Sequence, residues 1–397
     1  MKINKDSRYN QELIDKVYAY SLNRGIYIDL DAADEIYREL SEISEEHKIK
    51  AIEELPEEYR GINLNSPKQI VQVMTEHFNF AKYAGKTGKG GLSFGEEVLA
   101  KIYEKTGNLF AYHLREYRSS KSIAGKIKEI VDEMDDDNRV HPEYVYGDTN
   151  RVSYRKPGLS NLNEKCRPII AAGPGRKLIK ADYKAQEVYI QVNMLNIPEL
   201  KRVFEEYDDF YAGMVKVLAN VDLKREYRNN IKTAWLAGIY NSSLQNIGES
   251  EEERKLVKLI KDKVHKIPQI EAYREYVNKN MVHGNQPVTS YFGTKRMLPS
   301  WVKNKYQLQN IAFNNVFQIT GADILFFAIE SCINKFRDLG LTPEDIYIYM
   351  TIHDEIIFNV SEDMISEELL KEIEDAMVLD IEGWTKIKVD LEVSDTY

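Results

Sequence analysis

The stretch that most constrains this chain is 177–190, in which an apolar run ends in a carboxylate. Leu178 and Ile179 predict a buried strand, Asp182 falls where that strand stops, and 186–190 predicts the start of a helix. A carboxylate at a sheet edge can bind a hard cation such as Mg²⁺, because that ion prefers oxygen ligands. An aspartate in this position is more often a turn former or a helix cap. A metal site therefore requires a second carboxylate from elsewhere in the chain.

A distant stretch, 346–360, offers that second carboxylate. Two apolar runs there flank His353, Asp354 and Glu355. This pattern predicts a strand, a tight turn and a second strand, with the acidic residues at the tip.

Four side chains between these stretches recur at intervals of four residues: Arg228, Lys232, Leu236 and Tyr240. On a helix this spacing places them along one face, which changes from cationic to apolar and aromatic. Such a face suits a nucleotide, with the triphosphate near the cations and the base near the apolar end. Taken alone, the segment is better explained by an ordinary amphipathic helix with exposed cations.

The three stretches together resemble the motifs of the family A (bacterial DNA polymerase I type) DNA polymerases. ADYKAQE resembles motif A, REYRNNIKTAWLAGIY resembles motif B and IHDE resembles motif C, in the family's order and with its separations. The similarity runs from about Arg24 to the C-terminus. It implies an α+β fold of the right-hand polymerase type, with an antiparallel palm sheet, helical fingers and a helical thumb.

The resemblance also implies a division of the chain. The expected parts are an N-terminal palm segment (1–25), the thumb (26–138), the palm with motif A (139–195), the fingers with motif B (196–295) and the palm with motif C (296–397). Within the thumb, 86–99 is expected to form a flexible loop followed by a helix, since its glycines lack the spacing of a phosphate-binding Walker motif.

Carried over residue by residue, the motifs imply a catalytic site. Asp182 and Asp354 are expected to bind two Mg²⁺ ions, for which Mn²⁺ can substitute, while Glu355 supports the site and Lys232 neutralises or protonates the leaving group. Glu187 is expected to pair with Tyr240 and close the space beside the sugar C2′; the alternative is a helix acid stabilised by the macrodipole. The expected dNTP-binding residues are Arg228, Lys232, Leu236, Tyr240, Glu187, Tyr211 and His353.

The chain departs from the family pattern at several of these positions. Leu236 replaces an aromatic residue, Tyr211 lies where the family has a histidine, and Asn310 replaces an arginine. Asn150 and Asn241 both replace glycine. Because a phenol carries no positive charge, the triphosphate contact expected at Tyr211 is weakened.

Contacts to DNA require local positive charge, since the formal net charge of the chain is −10. Between 115 and 128 five cations face a single acid, and the resemblance assigns this helix to the thumb. An ordinary solvated face is the alternative. Further on, Asn310, Asn314 and Gln318 form a polar stripe whose amides can donate to minor-groove acceptors shared by every base pair. The expected DNA-binding residues are Arg115, Arg118, Lys121, Lys126, Arg151, Arg167, Lys295, Arg296, Asn314 and Gln318.

Composition excludes several other classes of protein. Cys166 and Cys332 lack paired spacing, so neither a zinc site nor a disulfide framework is indicated. The N-terminus is polar, and no later run is expected to reach the ~20 apolar residues of a membrane span. We therefore expect a cytoplasmic monomer without a membrane association, in the host cytoplasm if the protein is viral.

The sequence therefore predicts a DNA-dependent DNA polymerase that extends a primer 3′-hydroxyl with dNTPs by two-metal-ion nucleotidyl transfer, in replication or repair. Its expected partners are primer-template DNA, dNTPs and a separate exonuclease or processivity factor, because about twenty residues before the resemblance cannot hold a proofreading domain. One alternative is a single-subunit RNA polymerase, against which Glu187 and the Asp354-Glu355 pair argue. Another is an inactive polymerase scaffold that binds nucleic acid.

Overall fold

The computed structural model describes residues 1–88, 90–244 and 247–397, which divide into two compact units. Unit 1 comprises 1–24, 143–155 and 174–395, and unit 2 comprises 25–142, 156–173 and 396–397. The chain first passes from unit 1 into unit 2 at residue 25, next to the predicted start of the thumb at residue 26. The segment 156–173, expected in the palm, falls in unit 2. The assignment of palm, fingers and thumb remains a proposal.

Helices supply most of the regular structure. They are α1 (Gln11–Arg24), α2 (Leu30–Glu53), α3 (Pro67–Gln72), α4 (Glu96–Thr106), α5 (Leu109–Asp132), α6 (Gln186–Met194), α7 (Pro198–Glu206), α8 (Phe210–Ala219), α9 (Arg228–Ile239), α10 (Glu251–His265), α11 (Pro268–Val277), α12 (Lys305–Asp338) and α13 (Glu367–Met377).

The strands are mostly short. They are β1 (Lys2–Ile3), β2 (Ile26–Ile28), β3 (Gly85–Lys86), β4 (Leu92–Ser93), β5 (Arg139–Val140), β6 (Glu143–Tyr146), β7 (Val152–Arg155), β8 (Ile170–Ala171), β9 (Arg176–Tyr183), β10 (Val288–Thr289), β11 (Lys295–Arg296), β12 (Ile346–Ile352), β13 (Glu355–Ser361), β14 (Asp380–Ile381) and β15 (Val389–Ser394).

Unit 1 contains a four-stranded antiparallel sheet in the order β12-β13-β9-β15. The predicted strand around Leu178 and Ile179 is confirmed as β9, and both residues are fully buried. The predicted strand, turn and strand are confirmed as the β12–β13 hairpin, whose turn is His353-Asp354. Because β9 is hydrogen-bonded on both sides, the position of its end is set by two neighbouring strands.

The longest helix, α12, passes through the interior of unit 1. It is the one described helix that is long and apolar enough to cross a membrane, which differs from the expectation that no run would be. In its most apolar 18-residue window 83% of the residues are buried inside the protein, as in the core helix of a folded domain. Protein side chains therefore cover the apolar surface of α12.

Unit 2 is built around α2 and α5, which pack against each other. Its core joins these helices to α3 and α4 through buried residues that include Ala51, Leu55, Ile70, Leu99 and Phe110. A separate antiparallel sheet in this unit has the order β5-β2-β8.

Two short segments of unit 2 show how local sequence determines structure. Ser66 accepts a hydrogen bond from the Gln69 backbone N–H at the start of α3, where Pro67 occupies the first turn. The stretch 86–99 was expected as a loop before a helix. Instead, β3 and β4 pair as a short hairpin before α4 begins. Lys89 of this stretch lies outside the described residues.

Candidate active site

The central strand of the unit 1 sheet brings three acidic residues into register. Asp182 near the end of β9 lies opposite Glu355 at the start of β13 and opposite Asp390 of β15. Residues that face each other across neighbouring strands project from the same face of a sheet. Asp354 adjoins Glu355 in the hairpin turn, so four carboxylates converge on one end of the sheet. The meeting of Asp182 with Asp354 and Glu355, expected from the motifs, is present.

The electrostatics of this cluster reflect its crowding. Burial and the nearby carboxylates of Asp354, Glu355 and Asp390 raise the pKa of Asp182 to about 7, while Lys232 opposes the shift. A bound cation would reverse the part of this shift that comes from the neighbouring carboxylates. Burial also raises the pKa of Asp354, and Arg151 counteracts it.

This donor set fits a hard divalent cation. Among the described residues no three acidic, histidine or cysteine side chains form a closed metal site. Mg²⁺ at nucleotide sites usually takes one or two carboxylates and completes its shell with water and phosphate oxygens. Asp182 and Asp354 therefore suit a cation that arrives with a phosphate substrate better than a structural metal.

The predicted motif B helix is confirmed as α9, and its cationic end faces the acidic cluster. A cavity of about 330 Å³ adjoins Asp182 and is bordered by Arg228 and Lys232. Tyr211 also borders this cavity but is buried, with the Arg228 guanidinium 5.2 Å from its ring centroid. Arg228 additionally forms an ion pair with Asp209. The cavity therefore contains cations close to carboxylates that can bind a metal.

Close packing sets the position of α9. A Cβ added to Gly238 would lie 2.8 Å from the Cβ of Val264 and 2.9 Å from the carbonyl oxygen of Lys261. Both neighbours belong to α10. Only glycine allows this approach, which fixes α9 against α10.

The predicted pair of Glu187 and Tyr240 is present in the structure. The Tyr240 hydroxyl donates to the Glu187 carboxylate and accepts from the Gln191 amide at 3.0 Å. The Asn314 side-chain oxygen lies 2.9 Å from the same hydroxyl. A phenol has one proton, and a carboxylate is a stronger acceptor than an amide oxygen. We therefore assign the hydroxyl proton of Tyr240 to the hydrogen bond with Glu187. Trp235 holds Gln191 by donating to its amide oxygen at 2.7 Å.

Two departures from the family pattern have a backbone explanation. Asn150 and Asn241, which both replace a family glycine, have φ of +64° and +51°. Asparagine tolerates this left-handed region better than most residues other than glycine. Both positions therefore have a left-handed backbone that asparagine can adopt in place of glycine. At Leu236 an aliphatic, half-buried side chain occupies the position of the family's aromatic ring.

Other predicted contacts of unit 1 surround this site. Arg151 is close enough to Asp354 to lower its pKa. Arg296 donates to the Asn150 side chain, whereas Lys295 is exposed. On α12 the side-chain oxygen of Asn314 contacts the Tyr240 hydroxyl. Gln318 and Asn310 are half-buried, and His353 lies exposed in the hairpin turn.

In unit 2 the predicted basic patch on α5 is not continuous. Arg115 and Lys126 border a cavity of about 490 Å³ together with Ser119 and Ser122. Lys121 borders a different cavity, formed with α2, and lies 5.3 Å above the Tyr117 ring. Arg118 borders the first cavity as well, so three cations share one side of α5 and Lys121 lies on another. The DNA contacts expected of these cations stay predictions.

Arg118, for which a DNA contact is expected, also has a role within the protein. Its guanidinium donates to the carbonyl oxygen of Leu64 at 3.0 and 2.8 Å and to that of Phe94 at 3.2 Å. These contacts brace the loop before α3 and the residues before α4 against α5. Arg167 lies with its guanidinium 4.9 Å from the Tyr397 ring centroid, and its buried Nε has no hydrogen-bond partner among the described residues.

Sequence reasoning missed several residues of the site. Asp390 and Lys388 belong to a C-terminal segment with no recognisable motif, and Lys184 lies inside motif A without a predicted role. Lys184 forms an ion pair with Asp390 at 2.8 Å. Gln191 follows Glu187 by four residues on α6, and this spacing was the one signal that could have identified it.

Comparisons with known proteins identify the family of the chain. The model of the DNA polymerase family A matches residues 31–397. DNA polymerase I from Chloroflexus aurantiacus is 24% identical over 94% of this chain and 41% of its own length. DNA polymerase I from Mycobacterium bovis is 22% identical over 76% of this chain and 35% of its own length.

A solved structure shares the fold. It is the POL domain of Pol1 from M. smegmatis in complex with DNA primer-template and dNTP, with a TM-score of 0.82 and 21% identity over 98% of this chain and 70% of that one. The chain belongs to DNA polymerase family A. The predicted family and the α+β polymerase fold class are thus confirmed. The chain spans less than half the length of the curated relatives described above.

Proposed function

We propose that this chain is a template-directed DNA polymerase that extends a primer 3′-hydroxyl with dNTPs. The observation that carries this proposal is the carboxylate cluster of Asp182, Asp354 and Glu355 beside a cavity bordered by Arg228 and Lys232. A cluster of this kind suits a substrate that combines polyphosphate with divalent cations. The complex formed by the M. smegmatis domain supports DNA and dNTPs as the substrates.

Asp182 and Asp354 would hold two Mg²⁺ ions, or Mn²⁺ in their place. When bound, such ions lower the pKa of a primer hydroxyl and neutralise charge on the transferred phosphate. Glu355, opposite Asp182 in the sheet, adds negative charge that favours the cations. The raised pKa of Asp182 supports this assignment, because a cation removes the repulsion that causes part of it.

The remaining side chains orient the nucleotide. Lys232 lies close enough to Asp182 to oppose its pKa shift, so its ammonium can neutralise or protonate the departing pyrophosphate. Arg228 borders the same cavity and would bind the triphosphate. The pair of Glu187 and Tyr240 would restrict the sugar, Leu236 would lie near the base, and His353 is proposed to bind the dNTP.

The proposed grip on DNA comes from both units. In unit 2 Arg115 and Lys126 would contact backbone phosphates, helped by the hydroxyls of Ser119 and Ser122. In unit 1 Arg151, Arg296 and Gln318 are proposed to contact the duplex near the primer end, with Lys295 on template phosphates. Arg167, whose guanidinium lies against the Tyr397 ring, would also bind DNA.

We further propose that the protein acts as a cytoplasmic monomer in replication or repair and that this chain has no editing site of its own. A separate exonuclease or processivity factor would then complete the replication machinery. Mg²⁺-dependent removal of a mismatched primer terminus that survives Asp182→Asn would contradict the absence of editing.

A primer-extension assay with dNTPs or rNTPs, with and without Mg²⁺, tests the central proposal. We expect template-dependent extension with dNTPs that requires the metal. Extension with rNTPs at equal efficiency would instead identify an RNA polymerase. Binding of primer-template without extension under any of these conditions would identify an inactive scaffold.

A further inference from the structure

The cavity beside Asp182 has a second cationic wall that no motif accounts for. Besides the side chains of α9, it is bordered by Lys184 and Lys388. Lys184 follows the end of β9, and Lys388 immediately precedes β15. The cavity therefore has cations from α9 and from the ends of two sheet strands.

Backbone contacts fix Lys388 relative to the carboxylates. The backbone N–H of Lys184 donates to the carbonyl oxygen of Lys388 at 3.0 Å. This contact extends the β9–β15 pairing, in which Asp390 lies opposite Asp182. Lys388 is thus held two residues from the acidic cluster by the sheet itself.

Among the described residues, the ammonium group of Lys388 contacts one exposed carboxylate and one backbone carbonyl oxygen. Its Nζ lies 2.8 Å from the Asp208 carboxylate, whose side chain is fully exposed, and 3.5 Å from the Tyr207 carbonyl oxygen. The hydrogen bond and charge of Lys388, with Lys184 nearby, lower the pKa of Asp208. Ion pairs between exposed side chains contribute little free energy. A polyanion that enters the cavity can therefore displace Asp208.

Two of the other three cations among the described residues of the cavity wall are paired in the same manner. Arg228 is matched by Asp209 and Lys184 by Asp390. Tyr211, also on the cavity wall, supplies no positive charge. These pairs hold the cations in position when no ligand is bound. The same acidic side chains compete with a bound phosphate for the cations.

We infer that Lys388 binds the phosphate tail of the incoming nucleotide from the β15 side of the cavity, with Asp208 as its counter-ion in the free protein. This inference rests on the proposed polymerase function and extends it to a residue outside the polymerase motifs. Lys388 is a nucleotide-positioning residue that contacts phosphate through an ammonium group. Asp208 weakens that contact by competing for the same cation.

The test compares steady-state kinetics of Lys388→Met with those of the wild type. A hydrogen bond to a charged group contributes about 1.5–3 kcal/mol, and partial exposure reduces this, so KM for dNTP should rise about five- to tenfold. The dissociation constant for primer-template should stay within about twofold, a margin below ~0.5 kcal/mol. Lys388→Arg should restore most of the dNTP affinity, because it restores the positive charge.

Asp208→Asn provides a test in the opposite direction. Since it removes an exposed counter-ion, it should lower KM for dNTP and strengthen inhibition by pyrophosphate. Lys177→Met is the matched control: Lys177 lies at the other end of β9, and its Nζ is 2.7 Å from Asp395. We expect wild-type kinetics for this variant.

Direct titration of dNTP and Mg²⁺ into each protein by calorimetry separates this inference from the proposed function. If the wild type binds dNTP but extends no primer, the polymerase proposal fails while the titration still decides the role of Lys388. Unchanged dNTP affinity in Lys388→Met, or weaker affinity in Asp208→Asn, would overturn the inference.

Discussion

Replacing Glu187 with alanine tests how the site selects the sugar. In the structure the Tyr240 hydroxyl donates to the Glu187 carboxylate, and Gln191 Nε2 lies 3.2 Å from the same oxygen. A ribonucleotide's 2′-hydroxyl would have to separate this pair or remain without a hydrogen-bond partner. Either outcome disfavours the ribonucleotide, and alanine would remove the obstacle.

The expected magnitude follows from the cost of an unsatisfied polar group, which is about 1–3 kcal/mol. Removing that cost should lower the ratio of kcat/KM for dNTP over rNTP by about tenfold to a hundredfold. Extension with dNTPs should also slow by about tenfold, because Tyr240 loses a hydrogen bond to a charged acceptor.

The assay measures single-nucleotide incorporation of matched dNTP and rNTP opposite the same template base. Glu187→Gln is an informative companion, since it keeps the side-chain volume and should retain more selectivity than alanine. Glu199→Ala is the matched control, because Glu199 is also a first-turn acid of a helix, here α7, but is exposed. A selectivity ratio within twofold of wild type in Glu187→Ala, with measurable extension, would refute the reasoning and leave Glu187 as a helix-stabilising acid.

Three other predictions follow from the structure. Asp182→Asn or Asp354→Asn should abolish extension while primer-template binding, measured by fluorescence anisotropy, stays near wild type; near-normal extension by either variant would exclude the assigned site. Because the folded-state pKa of Asp182 is raised to about 7, the metal-free folded protein binds more protons than the unfolded chain between about pH 4 and 7. Its stability should therefore fall as pH rises through that window, and Asp182→Asn should raise the melting temperature at pH 8 but not at pH 4; an equal effect at both would contradict the crowding argument. Arg118→Ala should lower the free energy of unfolding by about 2–3 kcal/mol, since it leaves two carbonyl oxygens without their donor, whereas Lys126→Ala should keep stability and reduce the slope of log K against log salt by about 1. A reversed pattern in these two variants, measured by denaturation and salt titration, would contradict their assignment.

The elements that carry the site could be predicted from the sequence because their signals are local. The apolar run before Asp182 predicted β9, the runs around Asp354 predicted the β12–β13 hairpin, and the four-residue spacing from Arg228 predicted α9. Each of these signals depends on neighbours within about ten residues. The pairing of Asp182 with Asp390 has no such local signal, since it depends on the register between strands far apart in sequence.

The directions of individual cationic side chains could not be predicted for the same reason. An excess of positive charge on α5 was evident, but the direction of Arg118 depends on the carbonyl groups of Leu64 and Phe94. Those groups belong to loops whose position follows from packing of α3 and α4. A count of charges along a helix therefore predicts an electrostatic surface better than it predicts single contacts.

The place of β9 at the centre of its sheet has a consequence for biosynthesis. Both of its partners, β13 and β15, follow it in the chain, and Glu355 follows Asp182 by about 170 residues. A ribosome adds about 5–20 residues per second, so β9 is translated roughly ten or more seconds before its first partner. During that interval a strand with a buried apolar sequence has two unpaired edges, which is the condition that favours aggregation. Slow or interrupted translation between residues 184 and 354 should therefore lower the yield of folded protein, and molecular chaperones that shield unpaired strands should restore it.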